Sequence, residues 1–205
     1  SAFAHKISDA IWPALTNQKS SFATVVAACK KVKPNHRKEH FYIYIFYPTE
    51  RAELAERAEP GNKKLLVNSP TMNIMPRWNP KQPILYFSQH TPTNVRLVSV
   101  DTSKNQRVVA NFDGLNMTPA FSQGGSIVIS ITKDGHGILC KYHYDEKNKK
   151  GFFKGITSRE LHAISPSFID ENRVVFCLIK NKRPAIAILD LRSEEHTSEL
   201  QSHHD

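Results

Sequence analysis

A three-residue element, proline then any residue then an aromatic, occurs three times in this chain. Pro76-Arg77-Trp78, Pro119-Ala120-Phe121 and Pro166-Ser167-Phe168 stand 43 and 47 residues apart. Each is followed by a polar turn and then an apolar, β-rich run, at residues 84–88, 126–132 and 173–179. A second turn leads to second runs at 95–100, 138–144 and 185–189, which close on Asp101, Asp145 and Asp190. Shorter third runs cover 107–111 and 151–154. The turn Lys133-Asp134-Gly135-His136-Gly137 carries the Asp-Gly pair that suits a tight hairpin. A period in the forties with about four strands per unit predicts the blades of a β-propeller. Acids that recur once per unit, 44 and 45 residues apart, mark strand-end turns rather than a paired acid and base.

Residues 22–67 form a first unit without the proline element, with predicted strands at 22–29, 40–47 and 63–68. Before it, residues 2–15 have helical periodicity, with Phe3, Ile7, Ala10, Ile11, Ala14 and Leu15 on one face. Pro13 is predicted to kink that helix or end it early. The acidic stretch 49–59 is the other segment with helical character. The last residues, 192–205, share no periodicity with what precedes them and resemble the translation of a sequencing-library adapter. They are expected to be an artefactual, disordered tail, with the gene itself cut short there; the absence of an initiator Met suggests the chain begins within a longer one.

No apolar run approaches the roughly 20 residues that a membrane helix needs. The net charge of +9 raises the question of nucleic acid, and the tail, with one Arg and four acids, conceals a still more basic remainder. The charges fall in separate clusters at residues 30–38, 147–154 and 180–183. Each lies between apolar runs where hairpin loops are expected, without the interleaved aromatics of a base-stacking platform, so solvated loops are the expected role. Cys29, Cys140 and Cys177 are far apart, lack metal-ligand spacing and lie in or at the end of apolar runs, as small buried side chains do.

A reacting constellation is not visible. Ser126 follows Gly124-Gly125 and begins a strand, which is not the Gly-x-Ser-x-Gly of a nucleophile elbow. Neither His-Glu-x-x-His nor a phosphate-cradling Gly-rich loop ending in Lys-Ser/Thr occurs. His143 alternates with Tyr142 and Tyr144 and is expected to be structural. His36 and His40, four apart in a predicted loop, have no helix to bring them together. What remains is a binding surface. The segments that enter each innermost strand of a propeller converge on its central channel, and here they are predicted as loops at 73–75, 115–118 and 162–165.

The helix Ala4-His5-Lys6-Ile7-Ser8-Asp9-Ala10-Ile11-Trp12, continued by Ala14-Leu15-Thr16, is followed by a Ser-containing turn and Phe22-Ala23-Thr24. This order resembles the TolB family, the periplasmic component of the bacterial Tol-Pal envelope system. Met75-Pro76-Arg77-Trp78-Asn79-Pro80 is similar to that family's Ser-Pro-Ala-Trp-Ser-Pro, and Thr118-Pro119-Ala120-Phe121-Ser122-Gln123-Gly124-Gly125 to its Ala-Pro-Ala-Phe-Ser-Pro-Asp-Gly. The full Ser-Pro-Asp-Gly turn is kept in no unit, and the fourth reads Ile169-Asp170-Glu171-Asn172. Propellers of prolyl-peptidase-like hydrolases share the blade motif, so a peptidase propeller separated from its catalytic domain is the alternative; the helix joined to the first blade favours TolB.

The resemblance implies a mainly β chain, a partial six-bladed propeller preceded by the last helix of an α/β domain. Its parts would be that helix at 1–20, about three and a half blades at 21–191, and the tail. It further implies a non-catalytic periplasmic scaffold without a cofactor, supporting outer-membrane integrity and constriction during division. Its partner would be the peptidoglycan-associated lipoprotein Pal or a Pal-like lipoprotein, with TolA and outer-membrane proteins as further partners and no nucleic acid. Carried over by alignment, Leu115 and Thr118 in one blade and Ile164 in the next fall at Pal-facing positions, and Met75, Asn116, Met117 and Ser165 share the same three segments. The family often has His, Ala and Thr there; Leu115 departs most, which implies a more apolar contact.

Overall fold

The computed structural model describes residues 2–18, 24–33, 39–47, 63–117 and 119–192. The chain divides into two compact units, 1–73 and 74–205.

The first unit contains helix α1 (Ala2–Thr16) and the antiparallel sheet β1 (Val26–Val32), β2 (His40–Phe46) and β3 (Lys63–Ser69). Pro13 neither ends nor shortens the helix, which runs on to Thr16. It lies in the last turn, where the helix closes by a bond from the Asn17 N–H to the Pro13 carbonyl (2.9 Å) and a left-handed Asn17, a C-terminal stop that tolerates Asn. Strand β2 shows strict alternation: Phe41, Ile43 and Ile45 are buried, while Tyr42 and Tyr44 stack at 6.0 Å on the opposite face. Strand β1 begins at Val26 rather than at residue 22, and it takes in Lys30 and Lys31, which are therefore strand residues and not a loop. The expected helix at 49–59 lies outside the described residues, as does Phe22.

The second unit continues with β4 (Met72–Trp78), whose first residues belong to the first unit, then β5 (Ile84–His90), β6 (Val95–Asp101) and β7 (Gln106–Ala110). The middle repeat contains β8 (Leu115–Asn116), β9 (Ala120–Phe121), β10 (Ile127–Lys133), β11 (His136–Asp145) and β12 (Lys150–Gly155). The last contains β13 (His162–Phe168), β14 (Arg173–Lys180) and β15 (Arg183–Asp190), paired in that order. Every hairpin expected from the repeat forms. Asp134 and Gly135 take positive φ (53° and 81°) in a two-residue turn, and Asn181 and Lys182 do the same (53° and 62°) without a glycine.

The repeated acids cap turns. The Asp101 carboxylate accepts the backbone N–H groups of Ser103 and Asn105, and Asp145 accepts those of Lys147 and Asn148. Asp190 accepts the N–H of Arg192.

Two apolar layers join the repeats. Leu97 and Tyr86 pack with Ile127, Ile129, Ile131 and Cys140. Val128 and Leu139 pack in turn with Ala163, Val174, Phe176, Leu178, Ala187 and Leu189.

The segments predicted as loops at 73–75, 115–118 and 162–165 are mostly strand. Asn73 and Met75 lie in β4, Leu115 and Asn116 in β8, and His162 through Ser165 in β13. The physical reason is the proline. Proline cannot donate to a ladder, so within a sheet it is held at an edge strand, at a strand end or at a bulge. Met75 and Ser165, each just before its proline, take left-handed backbone (φ 56° in both), and the β13–β14 register shifts between Ile164 and Ser167. The middle repeat does the same with a gap: β8 and β9 both pair with β10, and the N–H of Met117 bonds the Ser130 carbonyl at 3.0 Å.

Candidate functional site

The bulged strands of the three repeats share one cleft of about 920 Å3. Strand β4 contributes Met75, Arg77 and Trp78; the middle repeat contributes Leu115, Met117, Pro119 and Phe121. Strand β13 contributes His162, Ile164, Ser165 and Phe168. A bulge re-aims side chains, because two residues stand opposite one on the partner strand. Met75 and Ser165 share left-handed backbone at equivalent points of two repeats, and both are exposed.

Of the residues singled out by sequence, Met75, Leu115, Met117, Ile164 and Ser165 line this cleft together. Asn116 does not. It is 0% exposed, and its side chain is spent inside the fold. Its Nδ2 donates to the carbonyls of Val95 and Phe112 (2.7 Å each), and its Oδ1 accepts the Phe112 N–H (3.1 Å). Thr118 lies outside the described residues. Sequence reasoning passed over Arg77, Trp78, Phe121 and Phe168, although the signal was present: they are the second and third members of the proline elements. His162, within the segment predicted as an entering loop, also lines the cleft.

The cleft is mainly apolar and aromatic, with few charges. Its floor is aromatic, and the indole Nε1 of Trp78 is buried without a hydrogen-bond partner. Its two formal charges are Arg77 and Asp170, and Asp170 is occupied in its own turn. Bonds from the Arg173 side chain and from the Asn172 and Arg173 N–H groups hold its carboxyl below the ordinary aspartate range. Ser126 sits in a polar turn with its N–H bonded to Ser122 Oγ at 3.0 Å. His143 lies away from the cleft, stacked on Phe152 at 5.5 Å, and burial together with Lys141 and Lys154 lowers its pKa. Among the described residues no group of three or more His, Cys, Asp or Glu is placed to hold a metal ion. No described helix is long and apolar enough to cross a membrane.

A second cavity of about 700 Å3 is lined by Phe112, Phe153, Arg159 and Cys140 among others. Burial pushes the Cys140 thiol up to about 11, so it is no nucleophile at neutral pH.

No family model matches the chain. Two curated relatives carry the name Tol-Pal system protein TolB. The protein of Gluconobacter oxydans is 27% identical over 134 residues, 64% of this chain and 27% of its own length. That of Francisella tularensis subsp. mediasiatica is 25% identical over 205 residues, 98% of this chain and 44% of its own. The chain thus spans less than half the length of either relative. Among solved structures, TolB from Acinetobacter baumannii superposes with a TM-score of 0.68 at 20% identity, covering 97% of this chain and 46% of that one. A puromycin-hydrolysing peptidase from Mycobacterium tuberculosis matches with a TM-score of 0.55 at 12% identity, covering 80% and 24%. At these identities the two structures establish the fold alone.

Proposed function

For a chain that is TolB-like in sequence and mainly β in fold, as a partial propeller is, we propose a non-catalytic role as a periplasmic scaffold of the Tol-Pal system. Its partner is a Pal-like lipoprotein, bound at the cleft of the bulged strands, and the complex supports outer-membrane integrity and constriction during division. TolA and outer-membrane proteins are further partners under this reading.

The observation that supports it best is convergence. Met75, Leu115, Met117, Ile164 and Ser165 come from three separate repeats and meet on one surface. That surface offers exposed apolar side chains over an aromatic floor, the composition of a protein-binding hot spot with Arg77 beside it. The peptidase alternative has support only from fold likeness at 12% identity, which carries no chemistry to this chain.

The test is a pull-down and titration of this protein with the periplasmic domain of a Pal-like lipoprotein from the same source. Leu115→Asp places a charge in the apolar contact and weakens binding by about 2–4 kcal/mol. Lys149→Ala removes an exposed hairpin charge paired with Glu146 and leaves binding unchanged. Equal effects of the two substitutions, or no binding at all, would remove the reading.

A further inference from the structure

Each repeat of the second unit carries one residue between the proline and the aromatic of its repeated element: Arg77, Ala120 and Ser167. All three line the cleft, so the repeats present this position to one shared surface. Two of them present a small side chain without charge. The other presents a guanidinium.

Arg77 is exposed, and its side chain makes no ion pair or hydrogen bond among the described residues. The other formal charge of the cleft is already engaged. Asp170 pairs with the Arg173 side chain at 2.6 Å and accepts the N–H groups of Asn172 and Arg173. Much of the remaining lining is apolar, with Met75 and Leu115 49% and 42% exposed and with Ile164 and Phe168 on the same surface. A guanidinium covered by such a surface loses its water and is destabilised unless another group takes the water's place. A carboxylate does so best, because its two oxygens match the planar fork with parallel bonds. Whatever seats on this cleft must therefore bring an acid to Arg77 and apolar groups to the rest.

We propose that Arg77 is the specificity-determining residue of the cleft, selecting a protein segment that presents a carboxylate beside apolar side chains. The inference rests on the reading of the cleft as a protein-binding surface and adds which kind of segment it recognises. The net charge of +9 steers an acidic partner in the same sense.

The experiment compares two blocked tripeptides, acetyl-Leu-Glu-Leu-amide and acetyl-Leu-Gln-Leu-amide, titrated into the whole chain labelled with 13C-methyl methionine. Met75 and Met117 line the cleft and report binding there. The Glu peptide is expected to shift both signals and to bind about tenfold more tightly than the Gln peptide. That preference should vanish in Arg77→Ala, persist in Arg77→Lys, and shrink as salt is raised. Arg77 is exposed, so both substitutions leave folding intact. Failure of a Pal-like lipoprotein to bind would remove the Tol-Pal reading and leave this comparison to decide the role of Arg77. Equal affinity for the two peptides overturns the proposal, as does a preference that persists in Arg77→Ala or the absence of any shift at millimolar peptide.

Discussion

The amide of Asn116 donates to the carbonyl of Val95 at 2.7 Å, tying the first strand of the middle repeat to the end of the hairpin before it. The bond is buried, and the same side chain holds both the N–H and the carbonyl of Phe112. Asn116→Leu fills the space but removes the side-chain partner of three backbone groups. We expect a loss of about 2–4 kcal/mol, read from the urea midpoint, against a small effect for Met117→Ala at the cleft. Stability unchanged by Asn116→Leu would show that those groups find water.

A second prediction concerns Gly137. A Cβ there would stand 2.7 Å from the Ala163 carbonyl, a backbone atom that cannot swing aside, and would also meet Ile164. Gly137→Ala is expected to destabilise by about 1–3 kcal/mol through overpacking between β11 and β13. Gly155→Ala meets nothing within 4 Å and should be neutral or slightly stabilising. Thermal melts of the two variants decide this, and equal melting points would contradict it.

Much of this architecture is legible in the residues themselves. Alternation along residues 40–46 fixes which face of β2 is buried, and Asp134-Gly135 can hardly form anything but a tight hairpin. The acids at 101, 145 and 190 announce turns because a carboxylate one strand-end away can reach its own backbone. The bulges are not legible. A residue before proline is biased away from helical backbone, and nothing local at Met75 or Ser165 foretells left-handed φ. Pro184 in β15 pairs with Ile179 without a register shift, so a proline in a strand does not by itself foretell the distortion. Asn116 is not legible either: its sequence neighbours Leu115 and Met117 line the cleft, while its own side chain turns inward to Val95 where β8 pairs with β6. The helix illustrates a softer case, since Pro13 comes late enough for one more turn to close behind it.

The capped acids predict a pH dependence. The carboxyls of Asp101 and Asp145 are held below the aspartate value of 3.8, chiefly by bonds from Asn105 and Asn148, and Arg192 brings Asp190 to about 2. A depressed folded pKa gives stability that is present above the unfolded value and lost as pH falls through the folded one. The urea midpoint should therefore be flat above about pH 5 and decline between pH 4 and 2. Asp190→Asn should make that decline shallower without abolishing it; a decline of unchanged size would assign it to other groups.

Thiol labelling offers a fourth test. Cys29 is exposed, Cys140 is buried with its thiol pushed up to about 11, and Cys177 lies on the open face of β14. In dilute native protein Cys29 should react first and Cys140 only on unfolding. Labelling of Cys140 at the rate of Cys29 would contradict the burial of the layer between β6 and β10.

The claim that the cleft is the lipoprotein surface can be read most directly from its methionines. The chain has three, Met72, Met75 and Met117, and two of them line the cleft. With 13C-methyl methionine, titration with the periplasmic domain of a Pal-like lipoprotein should shift the Met75 and Met117 signals well beyond that of Met72. Shifts confined to Met72, or none at saturating lipoprotein, would contradict the account.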